Sequence, residues 1–230
     1  MNARTSTKIA FALAFAGTTS VKLFRRWYRN WGATAEEIAR PMPQDGQIVN
    51  PNVITTRAIT IQAQPEHIWP WIVQMGDPPR AGYYSYTWIE RLLGLRIENA
   101  GRILPEFQSV HEGDSLDKNG NMTVLAVDPG RYVALGPPNV YDWLKSTWVI
   151  ALYPIDEQST RLVTRVRARM SLVGMLRTLP PLVWPFWLFI DPGVFVMERK
   201  MITEIKQHAE HLAGSVGYPQ AVTLSQRELA

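Results

Sequence analysis

The sequence predicts an α+β fold in which a curved antiparallel sheet grips one long C-terminal helix. Three observations predict it. Stretches of period-two alternation, Val53 to Ala63 and Thr160 to Met170 the clearest, read as strands. Between the first strand and the rest lies Pro65 to Gly94, which reads as two short helices joined by a Gly/Pro-rich loop. From Asp191-Pro192 to about Leu212 a 3.6-residue apolar stripe runs through Phe195, Met197 or Glu198, Met201, Ile202, Ile205, Ala209 and Leu212. A helix of that kind buries its stripe only against the concave face of a sheet. That geometry leaves an apolar cavity between sheet and helix, closed at one end by the short helical pair.

Taken in order, residues 1–29 form an apolar and basic segment. Ile9 to Ala16 is wholly apolar and Lys22 interrupts the run. As a helix, Ile9 to Phe24 spans roughly 24 Å at 1.5 Å per residue, short of the roughly 30 Å hydrocarbon core. A membrane anchor (spanning or shallow), a signal peptide cleaved after Ala14-Phe15-Ala16, and a helix packed on the domain or a frayed tail all remain open. Residues 30–52 hold the capping box Thr34-Ala35-Glu36-Glu37, a short helix ended by Pro41, and a linker. Residues 53–213 form the main domain.

In that domain, Pro65 suits a first helical turn, Ile68, Ile72 and Met75 recur at helical spacing, and Gly76 ends the segment. Ser85 is placed to cap a second helix with Trp88, Ile89, Leu92 and Leu93 on its buried side. Gly101 to Gly113 is irregular. Met122 to Val127 and Tyr132 to Leu135 flank the turn Asp128-Pro129-Gly130-Arg131, and Ser146 to Ile155 precedes the strand from Thr160. Leu172 to Met197 is very apolar, but four prolines bar a straight spanning helix. Residues 214–230 read as a polar tail.

Composition narrows the function. The chain has 230 residues, 46% of them hydrophobic, which supports a sizeable core. It has no cysteine, so disulfides and thiol chemistry are excluded. Residues 1–40 carry seven Lys/Arg against Glu36 and Glu37, a net of +5, and since the whole chain is +4 the rest is −1. A near-neutral body argues against a nucleic-acid-binding face, whereas a basic arm beside apolar residues suits an anionic membrane surface.

Several short motifs occur in one order: Trp31-Gly32-Ala33-Thr34, Pro65 with Ile68-Trp69-Pro70-Trp71, Gln74-Met75-Gly76, Arg80-Ala81-Gly82-Tyr83-Tyr84-Ser85-Tyr86, Pro105-Glu106 with Gln108, Gly113-Asp114, and Thr160-Arg161-Leu162-Val163 with Arg165. In this order, over about residues 27–212, the chain resembles the SRPBCC (START-like, helix-grip) superfamily, in particular its bacterial polyketide cyclase/dehydrase-like branch. The resemblance implies a helix-grip fold and an internal pocket for a hydrophobic molecule. It does not imply a particular activity, since members of that superfamily bind lipids, hormones or aromatic polyketides and only some are enzymes. Gln44-Asp45 stands where the resembling branch carries Gly-Asp, and Asp45 is given no role.

Trp71, Met75, Tyr83, Tyr84 and Trp88 are the expected pocket wall, apolar with hydroxyls at its edge. Glu106 is the candidate acid or base, or else a loop carboxylate that caps backbone N–H groups. Arg161, Arg165, Arg167 and Arg169 share one strand face. Either that face is solvated, or Arg165 points inward to a ligand carboxylate or to Glu106. His67, His111, His208 and His211 make no metal-ligating pattern, and neither a nucleophile elbow nor a phosphate loop is present. The expectation is therefore a membrane-associated binder of a hydrophobic small molecule or lipid, with no metal, cofactor or nucleic acid. A cyclase/dehydratase-type enzyme acting on a polyketide-like carbonyl compound is one alternative. An interaction module docking through Leu182 to Ile190 is another, and a cytoplasmic location is the alternative to a membrane one.

Overall fold

The computed structural model describes residues 20–92, 94, 96–137, 143–171, 173–174 and 187–217. Most of the expected N-terminal segment (1–19), Leu93, most of the Leu182 to Ile190 stretch and most of the polar tail lie outside the described residues. Helix α1 covers 20–29 and α2 covers Ala35–Ala39. Strand β1 (Val53–Ile61), helices α3 (Pro65–Val73) and α4 (Thr87–Leu92), strands β2 (Thr123–Asp128), β3 (Tyr132–Gly136), β4 (Leu144–Pro154) and β5 (Thr160–Met170), and the long helix α5 (Trp187–Gly217) follow. The sheet is antiparallel throughout, in the order β1-β5-β4-β3-β2. Pairing of β1 with β5 sets Val53 opposite Ala168 and Ile61 opposite Thr160.

The two faces of the sheet bury different things. On the concave face, Ile61, Val124, Val133, Leu135, Ile150, Leu152 and Leu162 pack with Ile68, Trp71 and Ile72 of α3 and with Met201, Ile202, Ile205 and Ala209 of α5. Each such side chain, fully enclosed, contributes about 1.5–3 kcal/mol. The expected stripe of α5 is thus the buried one. The helix also starts earlier than expected, with Pro192 inside it. Asp191 does not cap it. Its carboxylate instead accepts hydrogen bonds from Tyr28 Oη at 2.9 Å and from Arg29 Nη2 at 2.6 Å, which ties α1 to α5.

On the convex face a smaller apolar cluster of Met42, Ala58, Ala134, Val149, Ala151 and Val163 lies under residues 30–50, which cross the sheet as a strap. Gly32 makes that crossing possible. Its φ is +73°, and a Cβ there would stand 2.1 Å from the Ala58 carbonyl oxygen. The capping box of α2 forms as expected, Thr34 Oγ1 accepting from Glu37 N and Glu37 Oε2 from Thr34 N. Among the described residues no helix is long and apolar enough to cross a membrane.

Candidate functional site

A cavity of about 460 Å³ lies between the sheet and the N-terminal half of α5. Trp148 and Ser146 of β4 and Val166 of β5 form one wall, Val194, Met197 and Met201 of α5 the facing one, and Tyr83, Glu90 and Ile97 the end. A larger hollow, about 890 Å³, is polar and edged by Arg80, Arg91, Arg96 and Arg102. Arg80 is committed to the fold there, donating to the Val73 and Met75 carbonyls at the end of α3. The cavity against α5 is the apolar one of the two and is the candidate site.

Its polar groups divide into satisfied and unsatisfied. Tyr83 Oη donates to Asp77 Oδ1 at 3.2 Å, and burial together with the carboxylates of Asp77 and Asp117 pushes the phenol far up, so it stays a neutral donor. Ser85 Oγ donates to the Met197 carbonyl at 3.3 Å. Glu198 accepts from Arg57 Nη1 and Thr164 Oγ1. Glu90 is different. It is 1% exposed, and neither carboxyl oxygen has a hydrogen-bond partner. Burial, and secondarily the negative charge of Asp77, raise its pKa. Trp148 Nε1, also without a partner, is a second polar group of the same cavity. A carboxyl that holds its proton at unusually high pH can donate a hydrogen bond or exchange a proton with a bound molecule.

Glu90 reaches the cavity because α4 is turned the opposite way from expectation. Trp88 is 64% and Leu92 80% exposed, Ile89 is half-buried, and Glu90 is the buried residue of the helix. The approach to α4 fixes this orientation. Tyr84 sits at φ +52° with its N–H held by Asn99 Oδ1 at 2.8 Å, while Asn99 Nδ2 donates to the Ser85 carbonyl at 2.9 Å. The loop therefore enters α4 in a conformation that its apolar residues alone do not announce.

The other expected site residues are dispersed. Tyr83 lines the cavity. Trp71, Met75 and Tyr84 belong to the solid core beside it. Trp71 stacks on His208 with centroids 4.4 Å apart, and burial pushes the Tyr84 phenol up to about 12. Tyr84 Oη accepts from Gln74 Nε2 at 2.6 Å, and Gln74 Oε1 accepts from Leu104 N and Gln108 Nε2, so the Gln-Met-Gly motif serves as a structural hub. Glu106 is exposed in a 3-10 turn and lines none of the described cavities. Arg165 lies on the convex face, away from the cavity, and is neither solvated nor turned toward a ligand. It donates to the carbonyls of Glu37, Ile38 and Arg40 and pairs with Asp45 at 2.8 Å, locking the strap. Asp45 thereby acquires a structural role.

Sequence reasoning missed Glu90 and Arg57. A signal existed for Arg57, since the period-two pattern of β1 puts it on the face of Ile59 and Ile61, where a cation needs an explanation. Among the described residues no cluster of three or more His, Asp or Glu could hold a metal ion.

No protein-family model matches the sequence, and no curated protein matches it. Solved structures are similar to it at low identity. The di-domain ARO/CYC StfQ from the steffimycin biosynthetic pathway is 11% identical, covering 72% of this chain and 51% of its own, with a TM-score of 0.37. Truncated norcoclaurine synthase from Thalictrum flavum is 12% identical over 67% of this chain and 91% of its own, TM-score 0.35. A polyketide-cyclase-like protein from Corynebacterium glutamicum is 13% identical over 71% and 91%, TM-score 0.29. Likenesses this distant bear on neither ligand nor activity. What the coordinates establish is the fold, a curved antiparallel sheet gripping a long C-terminal helix with two short helices after the first strand.

Proposed function

We propose that the protein binds a hydrophobic small molecule in the cavity between β4, β5 and α5. One observation carries the reading: an almost wholly apolar hollow of about 460 Å³ with two buried carboxyls in its lining, Glu198 already paired with Arg57 and Glu90 without a partner. Affinity comes from apolar burial at about 25 cal/mol per Å², less the cost of association. The unpartnered Glu90 supplies the polar contact that orients the guest. The resemblance to the SRPBCC polyketide cyclase/dehydrase-like branch supports the same reading.

Glu90 also favours a second reading. Its raised pKa suits proton exchange with a carbonyl compound held against it, which is the chemistry of a cyclase or dehydratase. In that case Glu90, and not Glu106, is the acid or base.

Association with an anionic membrane surface is part of the proposal. Helix α1 exposes Val21, Leu23, Phe24 and Trp27 beside Lys22, Arg25 and Arg26, a pattern suited to lying on such a surface.

The test of binding is titration with Nile red, an uncharged dye that fluoresces in apolar surroundings, alongside native mass spectrometry of protein purified without detergent. The expected result is saturable fluorescence that Val166→Trp, which fills the cavity, abolishes while the thermal transition stays cooperative. Equal dye binding by the filled variant would overturn the proposal.

A further inference from the structure

The cavity has a neighbour. A smaller hollow of about 170 Å³ lies between α1, the N-terminal part of α5 and the concave face of β1 and β5, and it shares Val166 and Val194 with the main cavity. Its lining is mostly apolar, with Arg29 and Asp191 paired to each other at one side and two further polar groups, Arg57 and Thr55, that are fully buried. Arg57 is 0% and Thr55 4% exposed, and both belong to the lining. Arg57 donates through Nε to the Tyr28 carbonyl at 3.0 Å and through Nη1 to Glu198, yet its Nη2 has no partner. Thr55 Oγ1 has none either. Residues 55 and 57 are two apart on one strand and point to the same side. Two enclosed donors without an acceptor are a costly arrangement that a native protein keeps for a reason.

From this we infer that the small hollow is a polar subsite that accepts an uncharged oxygen, a carbonyl or ether-like acceptor, at one end of the hydrophobic ligand, with Arg57 Nη2 and Thr55 Oγ1 as its donors. The inference rests on the cavity reading above and adds the ligand's polarity to it. Charge selects the class. Among the described residues the cations of the hollow are Arg29 and Arg57, and each already faces a carboxylate, Asp191 and Glu198 respectively. A third carboxylate would enter an apolar space with no cation left to neutralise it. A neutral acceptor satisfies both donors without that penalty. The volume suits a terminal group and a few carbons, with the rest of the molecule in the main cavity.

The experiment uses the full chain and three probes: Nile red, dodecan-2-one and dodecanoate, the last two as competitors of the dye. Arg57→Gln would strand Glu198 without its cation and endanger folding, so the informative variant is Thr55→Val, which removes a hydroxyl that bonds nothing in the protein. The parent is expected to bind dodecan-2-one at least tenfold tighter than dodecanoate. Thr55→Val is expected to weaken dodecan-2-one about threefold to tenfold, the loss of one hydrogen bond, while saturable Nile red fluorescence and a cooperative thermal transition persist. Unchanged ketone affinity in Thr55→Val with dye binding intact overturns the subsite and spares the cavity. Tighter binding of dodecanoate overturns the uncharged-acceptor assignment. Failure of every probe to bind the parent overturns both.

Discussion

Glu90 is a buried carboxyl in the cavity lining, and neither of its oxygens has a hydrogen-bond partner. Its pKa lies above the ordinary 4.5, so the folded state holds this proton more tightly than the unfolded one. The sign follows directly: stability is fully present below the ordinary value and falls as pH rises through the folded value. Glu90→Gln removes the titration. It is expected to be more stable than the parent by about 1–2 kcal/mol at pH 7.5, and the gap should close near pH 4.5. Urea unfolding of both proteins at the two pH values measures it, and a gap independent of pH would contradict the assignment. Nothing in Thr-Trp-Ile-Glu-Arg-Leu marks that glutamate as internal, because Trp88 and Leu92, four apart, make the more obvious inward face. The deciding contact is Asn99 on the backbone of Tyr84 and Ser85, fifteen and fourteen residues away, beyond the reach of any local pattern.

Among the elements, those set by periodicity or capping were legible. Strand β5 runs Thr160–Met170 as its alternation requires, α3 begins at Pro65, and α2 has its capping box. Alternation also separated the arginines from Leu162, Thr164 and Val166, but a two-residue period cannot say what covers the outer face. That depended on the strap, whose α2 carbonyls and Asp45 receive Arg165. Helix α1 was legible as basic and apolar, and its contacts with Phe195 and Asp191 were not. Its role is open to measurement. Replacing Lys22, Arg25 and Arg26 by Gln is expected to lower co-sedimentation with phosphatidylserine-containing vesicles about tenfold or more, since each basic residue near an anionic surface contributes about 1 kcal/mol. Phosphatidylcholine vesicles should not distinguish the two proteins. Equal partitioning onto the anionic vesicles would remove α1 from the interaction.

For the whole molecule, the order of elements was enough to foresee a sheet closed around α5 and a hollow between them, because α5 has no other surface long enough for Met201, Ile202, Ile205 and Ala209. The hollow's occupants could not be foreseen, since its walls come from β4, β5, α4 and α5 at once. The register of Val53 against Ala168 has a further consequence. The first strand waits for the fifth, so a chain emerging from the ribosome carries β1 unpaired until more than a hundred further residues have been made. Refolding followed by tryptophan fluorescence should accordingly fall in the millisecond-to-second range of proteins rich in distant pairings, not the microseconds of helical bundles. During synthesis that edge stays without its partner for the same interval, which is when self-association competes with folding.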